Sequence, residues 1–349
     1  MQDSGTAPTG RFDARLQALL GALERHRLIV AAASFALGVA SFLLTEHGER
    51  LAKLIALLLA LNWLLIVSEG TLGQWLARWR WARFSPLVLR YAMQAVHQQT
   101  FFFCLPFLLS TTTWSSGQAL FTALAFAFAL ATMWDPLYYG HILPRPALHL
   151  ALHGFAMYLV MLTVPPLLWH LSTGYSLALA SATLGLLSLP SLARLMPRRG
   201  LRGWLGLCAA AAGLGLLSWL ARAWVPPATL WISQGVISAS IDEDRREPGA
   251  PLEQIGEDQL RRDGACAFTA IHAPRGLREQ VYHRWLHQGR EVSRIPLTIF
   301  GGREQGYRAW SCKQVFPPDA AGRWIVQVVT DAGQMIGVVR FRVEPAAQH

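Results

Sequence analysis

The sequence predicts an α-helical polytopic membrane domain of seven transmembrane helices followed by an all-β extramembrane domain, an antiparallel sandwich. Three observations predict it. The chain is 53% hydrophobic and only 15% charged over 349 residues, too apolar for an ordinary soluble protein. Seven apolar runs approach the ~20 residues needed to cross a bilayer core. After Pro226-Pro227 the long runs give way to short alternating ones, the pattern of strands. The chain thus divides into an amphipathic N-terminus at 1–27, a helical domain at 28–224 and a β domain at 225–349.

Residues 11–27 read as a surface helix, with Leu16, Leu19, Leu20 and Leu23 on one side and Arg15 and Arg25 among the polar positions. The crossings follow at Leu28–Thr45, Leu51–Ser68, Tyr91–Trp114, Gln118–Trp134, Pro146–Leu171, Tyr175–Ala193 and Gly203–Trp224. Cytoplasmic loops keep the Lys and Arg of a membrane protein, and the alternation here is clean. One side carries Arg11, Arg15, Arg25, Arg27, then Arg78, Arg80, Arg83, Arg90, then Arg145, then Arg194, Arg198, Arg199 and Arg202. The other carries only Arg50, Lys53 and Arg222. The expected N-terminus is therefore cytoplasmic and the β domain periplasmic, in a bacterial inner membrane. The loop Gln74–Arg90 interleaves Trp75, Trp79 and Trp81 with Arg78, Arg80 and Arg83, which suits an interfacial helix on anionic lipid.

In the β part, Trp231–Ile241 and Cys266–Ala273 read as strands separated by an acidic loop, Asp242–Asp263. Gln280–His287, Glu291–Phe300, Tyr307–Phe316, Arg323–Thr330 and Met335–Val343 follow, with turn signals at Gly289, Gly301-Gly302 and Gly333. In the last strand Val339, Phe341 and Val343 alternate with Arg340 and Arg342, so one sheet face is solvated.

Charge separates the two halves. Residues 1–224 hold 16 Lys+Arg against 7 Asp+Glu, which leaves 15 against 14 for residues 225–349. Nucleic acid is excluded as a partner, because the surplus flanks apolar runs and marks topology instead of forming a soluble basic face. The four cysteines are too few for a disulfide scaffold; Cys104 and Cys208 lie in apolar runs, Cys266 and Cys312 in predicted strands. Cys266 and Cys312 are both expected to point inward, either bonded or as two buried thiols. No cleavable signal peptide is expected, since Met1 to Thr9 is polar.

The run Val281-Tyr282-His283-Arg284-Trp285 with His287 and Gly289, then Ile295-Pro296-Leu297, Gly306-Tyr307-Arg308-Ala309-Trp310-Ser311, Gly322-Arg323-Trp324 and Gly333 resembles the bacterial domain of unknown function 2914. The resemblance covers about residues 275–343. The helical part resembles the uncharacterised multi-helix region found ahead of that domain in proteobacterial proteins. The resemblance implies a small extramembrane β domain on a membrane anchor and carries no activity or catalytic residues.

Candidate chemistry gathers in the cytoplasmic leaflet. Asp135 is the only acid between Glu69 and Asp242, and His149 and His153 are four residues apart, on one face of a helix. The predicted topology brings His97 to the same depth, with Glu69, Gln98, Gln99, Tyr138, Tyr139 and His141 around it. Ionisable groups inside a membrane are costly and mark functional sites. His97, Asp135, His149 and His153 make a donor set suited to zinc, with Glu69, Gln98 and His141 as the polar surround. The bland reading is interfacial histidines and an Asp135 that caps a helix before Pro136. In the β domain, Arg284, Arg290, Arg294 and Arg308 outline a face for an anionic partner, against the alternative of an ordinary solvated face.

The expected function is that of a non-enzymatic envelope binding or sensing protein. Beyond the lipid bilayer, its expected partner is a periplasmic protein, an anionic polymer or lipid headgroups. An intramembrane zinc hydrolase and a small proton-coupled transporter using Asp135 stay open as alternatives.

Overall fold

The computed structural model describes Ile29, Ala32, Ala36 and residues 85–196 and 200–345. The surface helix 11–27, nearly all of the first two predicted crossings and most of the 74–90 loop lie outside the described residues, as does Glu69.

The helical part runs α1 (Ser85–Thr111), α2 (Gln118–Met133), α3 (Pro146–Trp169), α4 (Thr173–Leu187) and α5 (Gly200–Leu220). Leu189–Leu195 carries α4 on beyond Ser188, and a 3-10 turn at Ala221–Trp224 ends α5. Local chemistry explains the boundaries. Pro146 opens α3, where a missing N–H is harmless. Ser172 caps α4, its Oγ accepting from Tyr175 N at 3.4 Å. Where α4 meets α5, a Cβ on Gly185 would lie 2.9 Å from Ala211 O and one on Gly215 2.9 Å from Ser181 O, so glycine is required for the two backbones to approach this closely.

Three of these elements are long and apolar enough to cross a membrane: Pro146–Trp169, Thr173–Ala193 and Gly200–Trp224. This corrects the simple picture of evenly apolar crossings. α2 is followed at Trp134 by a 96° bend into Asp135–Ile142, and the pair makes a fourth span only if counted as one. Trp134 is extended (φ −102°, ψ 95°) and breaks the helical run, and Pro136 falls in the first turn of the segment that follows, where its missing N–H is harmless. α1 has the length at 27 residues, but Gln94, His97, Gln98 and Gln99 dilute its apolar character.

The β part is a two-sheet sandwich. β1 (Trp231–Ser238), β5 (Ala265–His272) and β8 (Tyr307–Lys313) form one sheet in the order β1-β5-β8. The other runs β4-β10-β9-β6-β7, from β4 (Gln254–Gly256), β6 (Arg278–His287), β7 (Arg290–Phe300), β9 (Gly322–Thr330) and β10 (Met335–Glu344). Every pairing in the two sheets is antiparallel except β10 with β4. The acidic loop is more ordered than its composition suggests, holding the short pair β2 (Ile241–Asp242) and β3 (Glu247–Pro248), then β4 and helix α6 (Glu257–Asp263). Between the sheets lie Trp285 and Trp324, the two largest fully buried side chains among the described residues, packed with Phe316 and Phe341. His283 sits in the same core between Thr269 Oγ1 at 3.0 Å and Ser311 Oγ at 2.9 Å. Burial pushes its imidazole down to about 4, so it is a neutral hydrogen-bonding core residue.

Cys266 and Cys312 face each other in register and are disulfide-bonded. Their orientation corrects the sequence expectation. On β8 it is Ala309 and Ser311 that turn into the sandwich, leaving Trp310 half-buried and Cys312 exposed. Phe316, beyond the strand end, does enter the core.

Connectivity fixes which helix ends lie together. The links at 112–117, 170–172 and 225–230 all meet the sandwich, so α1, α3 and α5 end against it while α2 and α4 start there. Exposed tryptophans mark both ends: Trp114, Trp169 and Trp224 near the sandwich, Trp134 and Trp204 at the far end.

Candidate functional site

Two buried polar constellations stand out, one inside the helix bundle and one where the sandwich joins it. The first is built on the stripe Gln94, His97 and Gln98 of α1, spaced i, i+3 and i+4 on one helix face. The bend after α2 brings Asp135, Tyr138 and Tyr139 to that stripe, and Tyr138–Ile142 is wound as a π-turn, a form that often accompanies function. The first two turns of α3 bring His149 and His153.

His97 is fully buried. Its Nδ1 lies 3.0 Å from Tyr138 Oη and its Nε2 3.3 Å from His153 Nδ1. The three atoms groups form one chain: Tyr138 donates to His97 and His97 to His153, or the ring nitrogens donate in the reverse sense. The His149 ring centre lies 5.5 Å from that of His153 and 6.4 Å from that of His97. Beside this chain, Gln94 Nε2 donates to Thr132 O at 3.0 Å and to Asp135 Oδ1 at 2.8 Å, and Gln94 Oε1 accepts from Tyr139 Oη at 2.6 Å. Gln98 Nε2 donates to Thr132 O at 2.7 Å. Chemically the array can pass a proton along hydrogen-bonded rings and hold one carboxylate by a neutral amide.

The structure therefore gathers His97, His149 and His153, and takes Asp135 into the adjoining amide network with Gln94. Among the described residues no group of three or more His, Cys, Asp and Glu side chains is arranged to hold a metal ion. His97 and His153 spend one ring nitrogen each on one another, and the second nitrogen of His97 meets Tyr138. His141 is exposed, its Nδ1 3.3 Å from Pro136 O, and stands apart from the cluster. Gln94 is the residue that sequence reasoning missed. Its signal was legible, as the third polar group on the His97 and Gln98 face of an apolar helix.

The second constellation joins sandwich to bundle. Gln118, at the start of α2 and fully buried, donates from Nε2 to Met335 O at 2.8 Å and Val225 O at 3.4 Å. Gln334 Nε2 donates to Val225 O and Pro226 O, both at 3.3 Å. Glu279 of β6, 2% exposed, accepts from Thr173 N at the start of α4 at 2.8 Å through Oε2. A carboxylate from the sandwich thus satisfies a free amide at a helix N-terminus. Burial pushes the Glu279 carboxyl up to about 7; the Thr173 amide pulls against that shift and nearby Asp331 adds to it. Val225, Ala228 and Ala332 pack into the helix core around these bonds. None of these three polar residues announces itself in sequence, because their partners are backbone groups of distant segments.

The four arginines expected on one face are dispersed. Arg284 and Arg294 are cross-strand neighbours. Arg290 starts β7, opposite His287. Arg308 belongs to the other sheet, where it donates to Arg245 O at 3.1 Å and lies 3.4 Å from Glu247 Oε1.

Fold and site together define a protein with an apolar helical unit, a buried histidine–tyrosine chain within it, and a disulfide-linked β sandwich fixed to the helix ends. The chain belongs to the family of unknown function DUF5924, whose family model matches residues 9–267. A second match, to the protein of unknown function DUF2914, covers residues 278–343. The two matched regions meet inside the sandwich: β1, all of the 239–264 connection and the start of β5 fall in the first, β6 to β10 essentially in the second. The sheet β1-β5-β8 draws on both. No curated protein and no solved structure matches the chain.

Proposed function

We propose that the chain is a multi-pass protein of a bacterial inner membrane, with seven crossings, a cytoplasmic N-terminus and a periplasmic β sandwich. In this reading it works as a non-enzymatic envelope sensing and binding protein. The observation that carries it is the buried polar seam of Gln118, Glu279 and Gln334. A sandwich that merely needed tethering would hang on a solvated linker. One bonded to the starts of α2 and α4 transmits whatever a partner does to it directly into the bundle. Three further features support the placement. The arginines alternate by loop as the positive-inside rule requires. The exposed tryptophans fall in two bands, as interfacial belts do. The Cys266–Cys312 bond belongs in an oxidising compartment.

Alkaline phosphatase fused after His349 tests the placement: activity in intact cells is expected, and bright GFP fluorescence from the same position would overturn it. Sensing is tested by Gln118→Leu with Gln334→Leu, which should abolish the response of the bundle to a sandwich ligand while ligand binding persists. A second reading rests on the Tyr138–His97–His153 chain, which suits a proton path through the inner half of the bundle. It requires pH-driven proton flux in liposomes that His97→Phe abolishes; equal flux in both proteins removes it.

A further inference from the structure

Two cross-strand arginine pairs stand on one face of the five-stranded sheet. Register sets Arg284 opposite Arg294 across β6 and β7, and Arg323 opposite Arg342 across β9 and β10. Side chains alternate along a strand. Arg284 is opposite Gln327, which shares its face with Arg323, and Arg340 shares that of Arg342. All five arginines therefore point away from the other sheet. Like charges set directly opposite one another destabilise a sheet, so two such pairs on one face favour an anion laid over them. The first pair is partly answered, since Arg284 is bonded to Glu291 at 2.6 Å and Arg294 lies over the Tyr282 ring at 4.3 Å. Arg340 donates to Ser115 Oγ at 2.9 Å. Arg323 and Arg342 are exposed and have no side-chain hydrogen bond, ion pair or ring contact among the described residues. Glu344 follows Arg342 on the same face of β10.

We propose that this face binds an extended anionic polysaccharide whose carboxylates lie over the two arginine pairs. The inference deepens the envelope-binding reading and rests on it. The pairs are four residues apart along β9, roughly 13 Å, so a chain with repeated charges can engage both while a single small anion cannot. Gln280, Gln327 and Thr298 stand on the same face and offer neutral hydrogen bonds suited to sugar hydroxyls.

The test uses the purified full chain in nanodiscs of neutral lipid, titrated calorimetrically with polygalacturonate. Saturable binding that weakens with salt is expected. Arg323→Gln with Arg342→Gln should weaken it about tenfold, while Arg308→Gln, on the other sheet, should leave it unchanged. An unchanged affinity in the double variant, an equal loss in Arg308→Gln, or no binding at all overturns the proposal. So does equally tight binding of dextran, of polyglutamate, or of anionic-lipid vesicles, which would identify a neutral glycan, an acidic peptide or a membrane instead. The phosphatase fusion judges the periplasmic placement separately, because binding by purified protein does not depend on topology.

Discussion

Glu279 and His283 lie four residues apart on β6, both turned inward, and burial moves their protonation in opposite directions. The Glu279 carboxyl rises from 4.5 to about 7 and the His283 imidazole falls from 6.5 to about 4. Between pH 4.5 and 6.5 the folded domain keeps a proton on Glu279 that the unfolded chain has released. Over the same window the unfolded chain keeps a proton on His283 that the folded domain excludes. Linkage then fixes the signs. The Glu279 contribution is complete below pH 4.5 and lost as pH rises toward about 7; that of His283 is complete above pH 6.5 and lost as pH falls toward about 4. Each slope is about 1.4 kcal/mol per pH unit, and they oppose one another, so the native domain should be nearly indifferent to pH across this window. Glu279→Gln removes one of the two and should uncover the other, a loss of about 3 kcal/mol on acidification from pH 6.5 to 4.5. Hydrogen exchange of the β6 and β9 amides, corrected at each pH for the intrinsic rate, measures it in the full chain. His283→Gln should show the mirror image, a gain of similar size over the same window. Profiles for Glu279→Gln that run parallel to those of the native chain would refute the reasoning, since the slope does not depend on any constant cost of the substitution.

The disulfide closes a loop of 46 residues, so Cys266→Ser with Cys312→Ser should lower the stability of the sandwich by about 4 kcal/mol, read as a shift in its denaturation midpoint. Gln94→Leu leaves Asp135 and Tyr139 without a shared amide partner and should destabilise the bundle by about 2–4 kcal/mol, measured by thermal unfolding in detergent; a loss below 1 kcal/mol (about one ordinary hydrogen bond) would mean that this network contributes little. Residues 278–349 expressed alone should remain unfolded, because β1, β4 and β5 are missing, whereas 226–349 should give dispersed amide resonances; folding of the shorter piece would show that the second matched region is self-sufficient.

The sequence by itself determined the strands. All seven long ones, from Trp231–Ser238 to Met335–Glu344, were legible as alternating runs between turn residues, because burial of one sheet face imposes a period of two that local reading detects. It also determined that His97, His149 and His153 would lie at one depth, since apolar run length and loop charge fix how far along a crossing each residue sits. Tertiary structure alone decided what those residues touch. The partnership of Gln94 with Asp135 depends on a 96° bend that the apolar run Gln118–Trp134 does not reveal. Alternation told which residues of β8 share a face but not which face is inside, so Cys312 and Trp310 were assigned inward when Ala309 and Ser311 occupy the core. The seam of Gln118, Glu279 and Gln334 was invisible for a related reason. Each binds a backbone group more than a hundred residues away, and a backbone acceptor leaves no mark in the identity of the residue that bears it.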